Sequence, residues 1–196
     1  MSAFTWPPDP SAAPRLTANV AEPVASAVLV PLYRDESVTR LVLTRRRADL
    51  RRHAGEISFP GGRRDPADAN LKETALREAE EEIGLPRASV ELIGELPTTS
   101  TFVTGYLIHP YVARIPAGVA WQLSPKEVDS VLELSIEDIR TGRTIATLER
   151  RGITFQTDAY RVGEDLIWGA TARIVEHLLA RLADDPALPP TLREQA

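Results

Sequence analysis

Apolar residues recur along this chain with two different periods. Aliphatic, β-rich runs at 24–33 and 38–44 are divided by the polar quartet Arg34-Asp35-Glu36-Ser37. They predict two strands joined by a turn. A third, short strand is predicted at 57–59, running into Pro60-Gly61-Gly62. The period then changes. Leu71–Ile83 reads as a helix, opened by the capping pair Asn70 and Glu73 and stopped by Gly84 and Pro86. Runs at 90–96, 106–115 and 128–134 predict further strands, with the polar stretch 97–105 between the first two as a substrate loop. Ser135 and Asp138 are placed to cap a short helix over 135–139, and 144–148 with 153–158 reads as a hairpin about Gly152. Ile174, Val175, Leu178, Leu179 and Leu182 form a helical stripe within 167–182. Strands, a helix, more strands and a helix predict an α/β domain over 24–183, a mixed sheet flanked by helices. A Pro-rich arm over 1–23 and a tail over 184–196 flank it.

Composition narrows the function. The chain has 196 residues and no cysteine, so thiolate chemistry and disulfides are excluded. No apolar run approaches a bilayer span, and the N-terminus lacks the basic start and apolar stretch of a secretory signal, so we expect a cytoplasmic protein without a membrane partner. A net charge of −5 argues against nucleic acid as a partner. The basic charge is nevertheless clustered: Arg45, Arg46, Arg47, Arg51, Arg52, Arg63 and Arg64 crowd one stretch, with His53 among them. Such a cluster points to a local anionic ligand.

The chemistry is concentrated in Arg77-Glu78-Ala79-Glu80-Glu81-Glu82-Ile83-Gly84-Leu85. On a helix, Glu78, Glu81 and Glu82 share one face, while Ala75, Leu76, Ala79 and Ile83 take the neighbouring face, toward a sheet. Like charges at this spacing cost about 0.2–0.5 kcal/mol per pair. Carboxylates in the last turn also oppose the helix dipole. Both penalties are relieved by a cation, and clustered carboxylate oxygens are the ligand set that Mg²⁺ or Mn²⁺ prefers. Upstream, Gly61-Gly62 follows a strand, where glycine lets backbone approach a ligand closely.

From Gly62 to Leu85 the chain resembles the Nudix box, G-x5-E-x7-R-E-U-x-E-E-x-G-U, with U aliphatic. Arg77, Glu78, Ala79, Glu81, Glu82, Gly84 and Leu85 fit its second half. Counting back from Arg77 puts Arg63 at the opening position, so Gly62 stands one residue early; counting forward from Gly62 puts Asp68 at the first glutamate. A second signature, L-L-T-x-R-[SA]-x3-R-x3-G-x3-F-P-G-G, resembles that of coenzyme A pyrophosphatases through Leu43-Thr44, Arg46, Arg51, Gly55 and Phe59-Pro60-Gly61-Gly62. Val42 replaces its first leucine, and Arg47 stands where Ser or Ala is expected.

The resemblance implies a Nudix fold, a mixed sheet sandwiched between helices. It also implies metal-assisted attack of water on a diphosphate, with coenzyme A as the leading small-molecule substrate and 3′,5′-ADP and 4′-phosphopantetheine as products. It makes Glu78, Glu81 and Glu82 the ligands of Mg²⁺ or Mn²⁺, with a Gly61 or Gly62 carbonyl as a further oxygen. Arg77 would orient a helix glutamate, Arg46 and Arg51 would hold phosphates, and Glu127 is our choice for a downstream base. ADP-ribose, a dinucleotide or a nucleoside triphosphate is an alternative substrate. A nucleotide-binding regulator that keeps the fold without the chemistry is the alternative from another class.

Overall fold

The computed structural model describes residues 23–49, 55–101, 105–150 and 152–184. The expectations placed on Arg51, Arg52 and His53, on 102–104 of the substrate loop, and on all but Pro23 of the arm and Asp184 of the tail lie outside the described residues.

Strand β1 (Val24–Asp35) organises the main sheet. β2 (Val38–Arg46) runs antiparallel to it, with Leu32 opposite Leu41, and β7 (Tyr106–Arg114) runs parallel, with Val24 opposite Tyr106. The order is β3 (Ile57–Ser58), β2, β1, β7 and β5 (Glu91–Glu95). β4 (Gly61–Arg63) pairs with β1, β6 (Thr99–Ser100) with β7, and β8 (Val128–Ser135) with β2. The sheet is mixed, as the sequence predicts.

Both faces of this sheet are covered. Ala27, Leu29 and Val42 pack on one side with Ala75, Ala79 and Ile83 of α1 (Leu71–Ile83). Val30, Leu32, Leu41 and Leu43 pack on the other with α2 (Ile136–Thr141) and α3 (Gly169–Asp184), through Ile136, Ile174, Val175 and Leu178. Double coverage is why 24–33 reads as a nearly continuous apolar run rather than an alternating one. The Asn70 side chain caps α1 by accepting from the amides of Lys72 at 2.9 Å and Glu73 at 3.1 Å. Gly84, at φ 68°, ends it by donating to the Glu80 carbonyl at 3.0 Å. A Cβ there would also run into Gln122. The helix end is tied further by Gln122 N–H to the Ile83 carbonyl at 3.0 Å and Ser124 N–H to the Glu82 carbonyl at 2.8 Å. These bonds satisfy carbonyls a helix terminus leaves open, and they bring the segment leading to Glu127 against the end of α1.

Two features depart from the sequence reading. The hairpin is longer than predicted, and β9 (Arg143–Arg150) and β10 (Ile153–Val162) are joined by β11 (Asp165–Trp168) in a separate three-stranded antiparallel sheet. The last helix therefore starts at Gly169 rather than 167. Ile167 and Trp168 are strand residues opposite Tyr160 and Ala159. Ile167 is fully buried in the same core that the α3 stripe enters, so its hydrophobicity merged with the helical pattern.

Candidate active site

The turn from β3 into β4 delivers Gly61 and Gly62 to the end of α1. Neither position takes a side chain without something moving. A Cβ on Gly61 would collide with the Ala27 carbonyl and Val28 of β1, and a Cβ on Gly62 would overlap the Glu78 carboxylate. The glycines let sheet backbone and helix carboxylate touch. Gly61 N–H donates to Glu82 Oε2 at 3.2 Å, across 21 residues of sequence.

The three helix glutamates have different environments. Glu82 is buried, with 5% of its side chain exposed, and Arg46 Nη1 stands 3.8 Å from Oε1. Burial pushes its carboxyl up to about 8. The Gly61 amide opposes that shift, and the neighbouring charge of Glu78 adds to it. Glu78 is half-buried and also raised, again first by burial and against the pull of Arg77, whose Nη2 is 3.0 Å from Oε1. Glu81 is exposed and pairs with Arg77 Nη1 at 2.9 Å. Among the described residues no three acidic side chains are grouped closely enough to hold a metal ion; Arg77 pairs with Glu78 and Glu81 alike, while Glu82 lies buried beside Gly61 and Arg46.

Arg77 is anchored from beneath by Asp68. Its Nε donates to Oδ1 at 3.0 Å and its Nη2 to Oδ2 at 3.0 Å. Asp68 is itself buried and accepts from Thr74 Oγ1 at 2.8 Å and the Asp65 amide at 2.9 Å. The guanidinium holds the Asp68 carboxyl far below the usual range, and that carboxylate holds Arg77 above its own. Asp68 is the residue whose role sequence reasoning understated. It stands one residue farther from Arg77 than the box prescribes, yet it receives the guanidinium through two donors. Its signal was its place at the first glutamate position of the box counted forward from Gly62.

Glu127 is exposed on the turn before β8, which follows the Ser124 amide bonded to the Glu82 carbonyl, and after burial and nearer charges it adds a small upward push on Glu78 and Glu82. Arg47 holds that turn in place. Its amide donates to the Glu127 carbonyl at 3.1 Å, its Nη1 to the Pro125 carbonyl at 2.5 Å, and its Nε and Nη2 to Asp49 at 2.9 and 2.7 Å. The residue that departs from the second signature is thus a clasp between the Arg-rich loop and the Glu127 turn. The structure gathers Glu78, Glu82, Arg77, Arg46, Gly61 and Gly62, with Glu81 exposed beside Arg77 and Glu127 on the turn tied to the end of α1. Arg51 lies outside the described residues.

A family model described as NUDIX domain matches residues 23–153. The chain belongs to the Nudix family. It is 40% identical to an uncharacterized Nudix hydrolase NudL of Photorhabdus laumondii over 156 residues, covering 78% of this chain and 82% of that one. It is likewise 40% identical over 163 residues to the NudL of Citrobacter koseri, covering 82% and 84%. Its Nudix fold is also that of a MutT/nudix family protein from Enterococcus faecalis, at 14% identity and a TM-score of 0.58 over 89% of this chain and 67% of that one. The NUDIX domain of Shewanella oneidensis NrtR, solved with ADP ribose, aligns at 15% identity and a TM-score of 0.55 over 89% and 93%. Membership makes the chain a Nudix hydrolase acting on a pyrophosphate bond, as its sequence led us to expect. Nudix hydrolases generally need a divalent ion such as Mg²⁺ or Mn²⁺. The donor set here suits one: carboxylate oxygens only, two of them on partly desolvated side chains that repel each other, beside glycines too close to bear a Cβ. No helix among the described residues is long and apolar enough to cross a membrane.

Proposed function

We propose that this Nudix hydrolase cleaves the diphosphate bond of coenzyme A, giving 3′,5′-ADP and 4′-phosphopantetheine. The observation that carries the reading is the contact between two motifs. Arg46 and Gly61 of the coenzyme A pyrophosphatase-like signature both reach Glu82 of the Nudix helix, at 3.8 and 3.2 Å. The cation-rich segment and the acidic helix therefore form one site rather than two neighbouring ones.

In this reading Glu78, Glu81 and Glu82 would hold the divalent ion, which when bound would supply charge neutralisation on the diphosphate oxygens. The chain's residues do the rest. Arg46, at the end of β2, places a guanidinium where a phosphate oxygen can be held by charge-assisted hydrogen bonds. Arg77, gripped by Asp68, fixes the carboxylates of Glu78 and Glu81. Glu127, on the turn clasped by Arg47, is the acceptor for the proton of the attacking water. Coenzyme A carries a 3′-phosphate besides its diphosphate, and the arginine-rich segment answers that extra charge.

The test is incubation of the purified protein with coenzyme A, ADP-ribose and a dinucleotide, each with and without Mg²⁺ or Mn²⁺, followed by product separation. Metal-dependent release of 4′-phosphopantetheine faster than cleavage of the others is expected. Brisk turnover of ADP-ribose or the dinucleotide with coenzyme A untouched would replace the substrate while leaving the chemistry. Tight nucleotide binding without turnover of any of them would favour a regulator.

A further inference from the structure

The smaller sheet uses its two faces differently. Its inner face meets the main sheet across a cleft lined by Arg45, Leu148, Phe155 and Trp168. β9 is its outermost strand, and among the described residues it pairs with β10 and with no other strand. Along β9 the inward positions Thr144, Ala146, Leu148 and Arg150 are buried or half-buried. The alternate positions Arg143, Ile145, Thr147 and Glu149 are exposed.

An eight-residue edge strand offers a row of unpaired N–H and C=O groups, which natural proteins usually blunt. β9 lacks the common devices. It has no proline and no lysine, and it pairs with β10 without a register shift, so no bulge turns its edge away. Its middle, Thr144-Ile145-Ala146-Thr147-Leu148, is uncharged and suits a strand, and its charges stand only toward the two ends. Ile145 is 67% exposed on the outer face.

The strand is also complementary to itself. A two-fold axis perpendicular to the sheet at Ala146 sets β9 antiparallel to β9 of a second copy. Arg143 then stands opposite Glu149 of that copy, and Glu149 opposite its Arg143. Ile145 stands opposite Thr147, and the two Ile145 side chains meet on the diagonal of the same exposed face. Glu149 has no ionic partner among the described residues. Arg143 holds Glu176 at 3.0 Å through one nitrogen and keeps further donors. The smallest slip that keeps the faces matched is two residues. It puts either Arg143 opposite Thr147 or Glu149 opposite Ile145, and both ion pairs are lost.

We propose that a second copy of this chain covers the edge of β9, joining two three-stranded sheets into one continuous sheet about a two-fold axis at Ala146. Such a contact is isologous and closes on itself, so it stops at a dimer. The inference is independent of the diphosphate that is cut, since the interface uses none of the helix glutamates or the arginines beside them.

Sedimentation equilibrium of the full chain at micromolar concentration reads the association directly, and a particle of twice the 21.5 kDa chain mass is expected. Glu149→Arg sets like charges opposite each other at both ends of the paired strands and weakens dimerisation about tenfold or more. Arg143→Glu does the same. The two reversals in one protein restore opposite charges and bring the dissociation constant back within about threefold of the parent, the exposed Glu176 beside position 143 shifting it little. Ile145→Lys puts a charge on the edge and leaves a monomer. Ile145→Thr, with a smaller loss, serves should Ile145→Lys not fold. A parent that stays monomeric through the micromolar range overturns the inference and leaves the edge to a strand of a different protein. A dimer unmoved by the Ile145 variants or by the single charge reversals forms elsewhere and overturns it too. Failure of the paired reversal to restore association overturns the register and the proposal with it.

Discussion

The strain at Glu82 makes a prediction that can be worked through with numbers. In the metal-free protein its carboxyl sits in a nearly closed site, with one amide donor at 3.2 Å and one guanidinium at 3.8 Å. Folding moves its pKa from an ordinary 4.5 to about 8. At about 1.4 kcal/mol per pKa unit, the cost of folding with this group ionised is bounded at about 5 kcal/mol. The sign follows from which state holds the proton. A raised acid favours the fold while protonated, so its contribution is complete below pH 4.5 and is lost as pH climbs through about 8. Glu82→Gln removes the charge and keeps an oxygen for the Gly61 amide, but gives up the attraction of Arg46. A net gain of about 2–3 kcal/mol remains above pH 8, of the order expected when a desolvated charge is relieved. Urea unfolding in the presence of a chelator, from pH 5 to pH 9, measures this. The two stabilities should differ least at pH 5, separate in favour of the variant as pH climbs toward about 8, and run parallel above. A difference that does not vary with pH, or a variant less stable at pH 9, would refute the electrostatic account. Adding Mg²⁺ should raise the melting temperature of the parent more than that of the variant if Glu82 is a ligand as proposed; an equal rise in both would remove it from the ligand set.

Three further outcomes follow from the same geometry. Asp68→Ala leaves Arg77 with its two buried acceptors gone and should lower stability by about 2–4 kcal/mol, read by chemical denaturation at pH 7. Since the Asp68 carboxyl lies below its ordinary value, its contribution should hold as pH falls to about 4 and vanish only in stronger acid, so a loss centred near neutral pH would contradict the pairing. Gly61→Ala and Gly62→Ala should separate two effects. The first drives a methyl into β1 backbone and should cost about 3 kcal/mol of stability, whereas the second displaces the Glu78 carboxylate and should cut kcat at least about a hundredfold with a smaller change in melting temperature. Arg46→Ala should raise KM for the diphosphate substrate about tenfold or more, consistent with a lost charge-assisted contact, while also pushing Glu82 further toward its neutral form.

Much of this protein is written locally. The 3.6-residue pattern of α1, its Asn70 cap and its Gly84 stop depend on neighbours in sequence, and so could be read there. The same holds for the continuous apolar runs of strands covered on both sides. Family membership was legible for the same reason, since the box is a fixed spacing along one loop and one helix. Tertiary structure alone decided what distinguishes residues of one type from each other. Glu81 and Glu82 are adjacent acids, yet one is exposed beside Arg77 and the other is sealed beneath Gly61, because only the fold brings β4 and the end of β2 over one of them. Asp68 looked like a minor departure until the fold placed it under Arg77, and Arg47 until it met the Glu127 turn. The second sheet shows the same limit: Ile167 is apolar for the core that α3 also enters, so periodicity could not tell strand from helix there. Trp168, Phe155 and Arg45 are far apart in sequence, and their cleft exists only because two sheets meet; burial and charge at such a place are sums over distant neighbours, which no local pattern contains.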